Sequence, residues 1–139
     1  MSASPLPAIP SLADWPSLRR THPGWRAALE EICVRHALPA SELTPARDGT
    51  SVVFTTNRHV LKLYPPFWEL GAAAEWTILG HVEGRLGVPT PEVVATGHLE
   101  AWPYLVMTRL QGAILADVWP SLAEADRLAV GRQLGGILA

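Results

Sequence analysis

Thr50-Ser-Val-Val-Phe-Thr-Thr-Asn-Arg-His-Val-Leu-Lys-Leu-Tyr64 contains two short runs rich in β-branched, aromatic and other apolar residues. Residues of these types are favoured in β-strands, and Asn57-Arg58 between the two runs suits a turn. The sequence therefore predicts a pair of strands at 50–56 and 59–64. Gly49 lies just before the first strand, where the absence of a side chain lets the backbone turn tightly.

Helical periodicity flanks this pair of strands on both sides. Before it, apolar residues recur at helical spacing over 23–38, and Pro39 ends that pattern. After it, Pro65-Pro66 stops the second strand, and a helix is predicted over 67–86, closed by Gly87. The two predicted helices therefore bracket the two predicted strands.

Two further strands and a third helix complete the predicted order. The strands are predicted at 93–97 and 104–108, with a turn over 98–103. Ser121-Leu-Ala-Glu124 matches a capping box, the S-x-x-E pattern that begins many helices, and predicts a last helix from Ser121 to Ala139. The order helix, strands, helix, strands, helix indicates an α+β fold, with an antiparallel sheet and a packed helix.

Composition limits the classes of protein to which the chain can belong. The 139 residues are 48% apolar and 17% charged, which predicts a single folded domain and excludes disorder over the whole length. The formal net charge is −2 and there is no basic block, so nucleic acid is not an expected partner. The five histidines lack the spacing of metal ligands, so no metal site is predicted.

The cysteine count and the N-terminal segment indicate the cellular compartment in which the protein is expected. Cys33 is the single cysteine, so no internal disulfide can form, and we expect a buried apolar residue in a reducing compartment. Residues 1–13 are uncharged, but they lack the basic start of a secretory signal and fall short of the roughly 18 residues of a membrane helix. We therefore expect a cytoplasmic protein without a membrane partner. Pro5, Pro7 and Pro10 indicate an extended arm, which we place at 1–22.

Lys62 is the most informative residue of the predicted strands. Side chains alternate across a strand, so Lys62 shares a face with Val60 and Tyr64, whereas Leu61 and Leu63 occupy the other face. A strand that is apolar on both faces is covered on both sides, and a lysine within it needs a partner. The alternative is a lysine on an edge strand, where its charge prevents aggregation.

Glu75 supplies a candidate partner on the following helix. It shares one helical stripe with Leu79, Val82 and Leu86, where a carboxylate is unusual unless it is paired. The alternative places Glu75 in solvent at the rim of that stripe. Taken together, the two residues predict an ion pair that orients the Lys62 ammonium toward a phosphate. Gly49-Thr50-Ser51 could admit a phosphate to its backbone N–H groups, or it could be an ordinary turn.

Five pieces of sequence resemble the aminoglycoside phosphotransferase family, most nearly its hygromycin-type and uncharacterised branches. They are Gly49-Thr-Ser-Val-Val-Phe, His59-Val-Leu-Lys-Leu-Tyr-Pro-Pro, Glu75, Val88-Pro-Thr-Pro-Glu-Val and Tyr104-Leu-Val-Met-Thr-Arg-Leu-Gln-Gly112. The resemblance extends over about 44–139. It implies a protein-kinase-like fold and the transfer of a phosphoryl group from ATP or GTP to a hydroxyl of a small molecule, an aminoglycoside or a similar substrate, with Mg²⁺ as cofactor. Antibiotic resistance is the associated role.

The resemblance also implies roles for individual residues. Lys62 matches the lysine that holds the α- and β-phosphates, and Glu75 matches its partner on the helix. Gly49, Thr50 and Ser51 match the loop that covers the nucleotide. Val60 would pack against the base, and Met107–Leu110 match the hinge, where backbone groups of Thr108 and Leu110 would bond adenine.

One part of the family pattern has no counterpart in this chain. The catalytic Asp and the metal-binding Asn belong to a motif like His-Gly-Asp-x-x-x-x-Asn, which the sequence lacks, and the second metal-binding Asp is missing too. No catalytic residue and no metal ligand are therefore assigned, and the Mg²⁺ ligands are expected in a second lobe.

This departure shapes the expected domain organisation. We expect a nucleotide-binding lobe at 23–112, then a linker and the start of a second lobe at 113–139, with the catalytic lobe absent and the natural polypeptide continuing. Such a chain is expected to be inactive alone and able to self-associate through the uncovered interface. The alternative is a non-catalytic kinase-like remnant that acts as a protein-interaction module.

Overall fold

A five-stranded sheet is built around the two strands that the sequence predicts within 50–64. The computed structural model describes residues 4–139, so residues 1–3 of the predicted arm lie outside the described residues. The strands are β1 (Thr44–Pro45), β2 (Val52–Thr55), β3 (His59–Leu63), β4 (Val93–Leu99) and β5 (Trp102–Thr108). Their order across the sheet is β1-β2-β3-β5-β4, and every neighbouring pair is antiparallel.

Helices precede, interrupt and follow the sheet. The α-helices of the described residues are α1 (Trp15–Thr21), α2 (Trp25–Arg35), α3 (Glu69–Val82), α4 (Leu115–Val118) and α5 (Glu124–Leu138). Short 3-10 turns occupy Ala40–Glu42, Pro66–Trp68 and Trp119–Ser121. Helices and an antiparallel sheet together confirm the predicted α+β class.

Helices cover both faces of the sheet, and β3 lies at its centre. One face packs against α1 and α2 in a buried cluster that includes Trp15, Trp25, Ile32, Leu61 and Leu63. The other face packs against α3 in a smaller cluster that includes Tyr64, Ala72, Leu105 and Met107. Both faces of β3 are therefore covered, as the alternation of its residues predicts. A lysine on such a strand requires a partner for its charge.

An aromatic cluster joins α1 to the remainder of the molecule. The Trp15 ring lies 5.9–6.3 Å from four other aromatic rings, those of Trp25, Phe67, Trp68 and Trp102. Most of these contacts are edge-to-face, the arrangement that aromatic quadrupoles favour. Four of the six tryptophans therefore belong to one aromatic cluster.

The prediction of an extended arm over 1–22 is wrong for Trp15–Thr21, which forms α1. Pro16 at the start of α1 is compatible with a helix, because the first turn has no internal partner for its N–H groups. Burial of Trp15 in the aromatic cluster supplies the tertiary contact that stabilises so short a helix.

Two predicted boundaries also differ from the structure. The predicted helix over 67–86 ends earlier, at Val82, and Gly84 has a φ of +67°, in the region that glycine adopts readily. The β4–β5 turn is shorter than the predicted 98–103, because Glu100 and Ala101 alone connect the two strands. The strands extend toward this turn because Leu99 and Trp102 are buried.

The capping box predicted at 121–124 is also wrong. The Ser121 hydroxyl donates to the Val118 carbonyl at 2.8 Å and makes no cap. Glu124 is the first residue of α5, and Ala123 occupies the cap position. The proline in Trp119–Ser121 explains this difference, since it favours a separate 3-10 turn that ends before α5 begins.

None of the α5 side chains is buried, although the helix runs for 15 residues. Its apolar residues Leu128, Leu134 and Leu138 are exposed. In the part of the chain that the structure describes, no helix combines the length and the apolar character needed to cross a bilayer.

Candidate functional site

Lys62 and Glu75 form an ion pair across the interface between β3 and α3. The Lys62 Nζ donates to Glu75 Oε1 at 2.5 Å, and the two side chains are 23% and 31% exposed. Lys62 lies opposite Val53 on β2 and Leu105 on β5, so its strand is interior. The alternatives of an edge-strand lysine and a solvated glutamate are therefore wrong.

Tyr64 holds the second oxygen of the same carboxylate. Its hydroxyl donates to Glu75 Oε2 at 2.6 Å, so both Glu75 oxygens have a fixed donor. Burial, and next the hydrogen bond to Glu75, raise the pKa of Tyr64 above its ordinary range, which keeps the hydroxyl protonated as a donor. Sequence analysis did not assign this role, although Tyr64 lies two residues from Lys62 on the same face.

The loop between β1 and β2 lies beside this ion pair. Gly49 has a φ of +131°, which a side chain would oppose, and Ser51 is buried while Thr50 is exposed. Trp15 Nε1 donates to the Thr50 carbonyl at 2.8 Å and ties the loop to α1. A tryptophan 35 residues away in sequence therefore positions the backbone of this loop.

A cavity of about 380 Å³ brings several of the predicted site residues together. Its lining consists of Thr50, Ser51, Lys62, Tyr64, Trp68, Gly71 and Glu75. Gly49 borders this group in sequence but does not line the cavity. The cavity thus places a loop, an ammonium group and a buried hydroxyl within one space that is open to a ligand.

Val60 and Met107 lie farther along the same face of the sheet. They are directly opposite each other on β3 and β5. Met107 is buried in the cluster beneath α3, and the half-buried Val60 packs against that cluster. The two side chains form an apolar surface that continues from Lys62 toward the end of β5.

Part of the predicted hinge already makes hydrogen bonds to another segment of the chain. The Thr108 N–H donates to the Glu92 carbonyl at 2.9 Å, and the Glu92 N–H donates to the Thr108 hydroxyl at 2.8 Å. The Thr108 N–H is therefore already bonded, and the Thr108 carbonyl is the backbone group of this residue that remains to bond a nucleotide base. Leu110 and Thr108 line a separate cavity of about 420 Å³, so the structure does not merge the hinge with the Lys62 cavity.

Metal-ligating side chains are scattered across the described part of the chain. Nowhere in 4–139 do three His, Cys, Asp or Glu side chains come together in a group that could hold a metal ion. The described residues therefore do not form a binding site for Mg²⁺. No chemical step is assigned to a metal ion bound by them.

Comparison with known proteins gives one match. The model of the phosphotransferase enzyme family (APH) matches residues 42–139. No curated protein and no solved structure matches the chain. The matched region contains all the candidate site residues, from the β1–β2 loop to Leu110, and excludes α1 and α2.

Proposed function

This chain belongs to the phosphotransferase enzyme family, and we propose from that premise that 23–112 binds the phosphates of ATP or GTP as a kinase-like lobe. The complete reaction would transfer the γ-phosphoryl group to a hydroxyl of a small molecule, an aminoglycoside or a similar substrate. The acceptor oxygen attacks the γ-phosphorus, the bond from that phosphorus to the β–γ bridging oxygen breaks, and the nucleoside diphosphate leaves.

The Lys62–Glu75 ion pair beside the β1–β2 loop is the observation that supports this proposal. An ammonium group has three N–H donors, and the Glu75 carboxylate accepts from one of them. The other two remain for anionic oxygens in the cavity. Because Tyr64 and Lys62 fix the carboxylate from two sides, the ammonium is held in place before a nucleotide arrives.

The base would lie along the apolar surface of Val60 and Met107. The Thr108 carbonyl and the Leu110 N–H would then be the backbone partners of the base. The role of this chain is to bind and orient the nucleotide. The proposal assigns to it neither the base that accepts the hydroxyl proton nor the binding of the acceptor, and we expect no aminoglycoside phosphorylation by this chain alone.

Calorimetric titration with Mg-ATP tests the proposal. We expect saturable binding by the wild type and an affinity at least about tenfold lower in Lys62→Ala, because a charge-assisted contact to phosphate is lost. Arg132→Ala, on the exposed α5, is the matched control and should bind like the wild type. Equal affinity in wild type and Lys62→Ala would refute the assignment of the phosphate site.

The same titration with Mg-GTP separates the two nucleotides. Backbone groups in the hinge present a fixed arrangement of one acceptor and one donor, and the donor and acceptor pattern of adenine differs from that of guanine. We expect the ratio of the two affinities to be unchanged in Lys62→Ala, since Lys62 would contact phosphates alone. A changed ratio would place Lys62 at the base.

A further inference from the structure

A second cavity, of about 290 Å³, concentrates positive charge between the N-terminal helices and the β1–β2 loop. Its lining includes Arg19 and Arg20 of α1, Arg26 of α2 and Arg47 of the loop. Four of the ten arginines of the chain therefore surround one space. The remaining lining residues are apolar or neutral, and none is a carboxylate.

Carboxylates outside the cavity neutralise only part of this charge. Arg47 pairs with Asp117 at 2.9 Å and with Asp48 at 3.5 Å, and Arg26 lies 4.0 Å from Glu30. Arg19 and Arg20 have no carboxylate within 4.0 Å among residues 4–139. The chain has a net charge of −2 overall, so this excess of cations is local rather than a general property of the surface.

Two of the four arginine side chains are held by contacts that leave N–H donors unused. Arg20 donates through Nε to the Pro16 carbonyl at 3.1 Å, which leaves its terminal nitrogens free. Arg26 donates to the Leu43 carbonyl at 3.2 Å and lies over the Phe54 ring at 5.8 Å. A guanidinium fixed in this way loses little conformational entropy when it binds an oxyanion through two parallel hydrogen bonds.

We propose that this arginine-lined cavity binds a small, multiply charged oxyanion of the phosphate class, such as pyrophosphate. Four arginines in the lining of one cavity, with no carboxylate among the lining residues, favour an anion of high charge density. The volume suits a compact ligand rather than a polymer.

The proposed anion site differs from the proposed nucleotide site. The nucleotide cavity lies beside α3, whereas the anion cavity lies beside α1 and α2, and Ser51 is the residue that both linings share.

Calorimetric titration with inorganic pyrophosphate at low salt tests the proposal. We expect saturable binding that weakens at least about tenfold in Arg19→Gln/Arg20→Gln and weakens as salt is added. The two side chains are exposed or half-exposed, and a thermal melt confirms that the double variant is folded. Arg132→Ala controls for loss of an arginine elsewhere and should bind like the wild type.

Lys62→Ala separates this site from the proposed nucleotide site. We expect Lys62→Ala to keep the saturable pyrophosphate binding that the double arginine variant weakens, because Lys62 does not line the arginine cavity. Loss of binding in Lys62→Ala, with binding kept in the double arginine variant, would place pyrophosphate in the nucleotide cavity and overturn the proposal. The proposal would also be overturned if the wild type showed no saturable binding at pyrophosphate concentrations up to about 10 mM.

Discussion

Tyr64 connects the sheet to the carboxylate that holds Lys62. Its hydroxyl donates to Glu75 Oε2, and removing it leaves one oxygen of a partly buried carboxylate without its protein donor. We expect Tyr64→Phe to lower the free energy of unfolding at pH 7 by about 1–2 kcal/mol, because a hydrogen bond to a charged group is lost.

The pH dependence of this difference follows from the raised pKa of Tyr64. The unfolded chain ionises this tyrosine near pH 10, whereas the folded chain keeps it protonated at higher pH. The stabilising contribution is therefore fully present below pH 10 and is lost as the pH rises above that value. Denaturant unfolding of both proteins from pH 7 to 11 should show their difference narrowing. The second tyrosine is present in both proteins, so its contribution cancels in the difference between their free energies of unfolding. A difference that widens at high pH would contradict the account.

Trp15 determines the conformation of the β1–β2 loop through its bond to the Thr50 carbonyl. We expect Trp15→Phe to weaken Mg-ATP binding about three- to tenfold, since a freed loop must be ordered by the ligand. Trp25→Phe is the matched control: Trp25 belongs to the same aromatic cluster, but its Nε1 donates to the Leu18 carbonyl, away from the loop. Both variants should lose stability, and equal nucleotide affinities in the two would refute a role for Trp15 in positioning the loop.

Among the elements, the β4–β5 pair depends on one glycine. A Cβ added at Gly97 would lie 2.6 Å from the Tyr104 hydroxyl oxygen, which also contacts His36 Nε2 at 2.9 Å. We expect Gly97→Ala to lower the free energy of unfolding by about 1–3 kcal/mol, because Tyr104 must move.

Gly80→Ala provides the matched control for this prediction. Gly80 lies within α3, and a Cβ added there meets nothing within 4 Å. This change should raise the free energy of unfolding by about 0.5–1 kcal/mol, since alanine favours the helix. Chemical denaturation of both variants measures the two effects. Destabilisation of equal size in both would show that contact with Tyr104 is not the cause.

Sequence patterns predicted elements better than they predicted element ends. Strand alternation around Lys62 and the stripe containing Glu75 were sufficient to predict that the two residues meet. The helix end at Val82 and the failed cap at Ser121 depend on neighbouring turns, which hydrophobic periodicity does not describe. Strand alternation placed Tyr64 on the face of Lys62 but did not give its bond to Glu75. The Trp15 bond to Thr50 and the Thr108 N–H bond to Glu92 depend on pairing across the fold, so no local pattern could give them.

At the scale of the whole molecule, the C-terminal segment contrasts with the sheet. Leu110, Ile114, Trp119, Leu128 and Leu134 are exposed between the end of β5 and the end of α5. Exposed apolar surface of this kind favours association, so self-association remains a prediction. Sedimentation velocity should show concentration-dependent association that Leu128→Glu reduces. Val34→Glu, at an exposed apolar position on α2, is the control and should leave association unchanged.

Lys62 is the only lysine in the chain, which permits a direct test of the nucleotide site. An acyl phosphate of ATP, bound with its phosphates at Lys62, would be attacked by the Lys62 amine at the acyl carbon, forming an amide and releasing ATP. Mass spectrometry would then measure acylation of Lys62 against that of the α-amino group, with and without excess ATP. The account predicts saturable acylation of Lys62 from which free ATP protects, and no protection of the α-amino group. Acylation of Lys62 that is no faster than that of the α-amino group and is unaffected by ATP would contradict it.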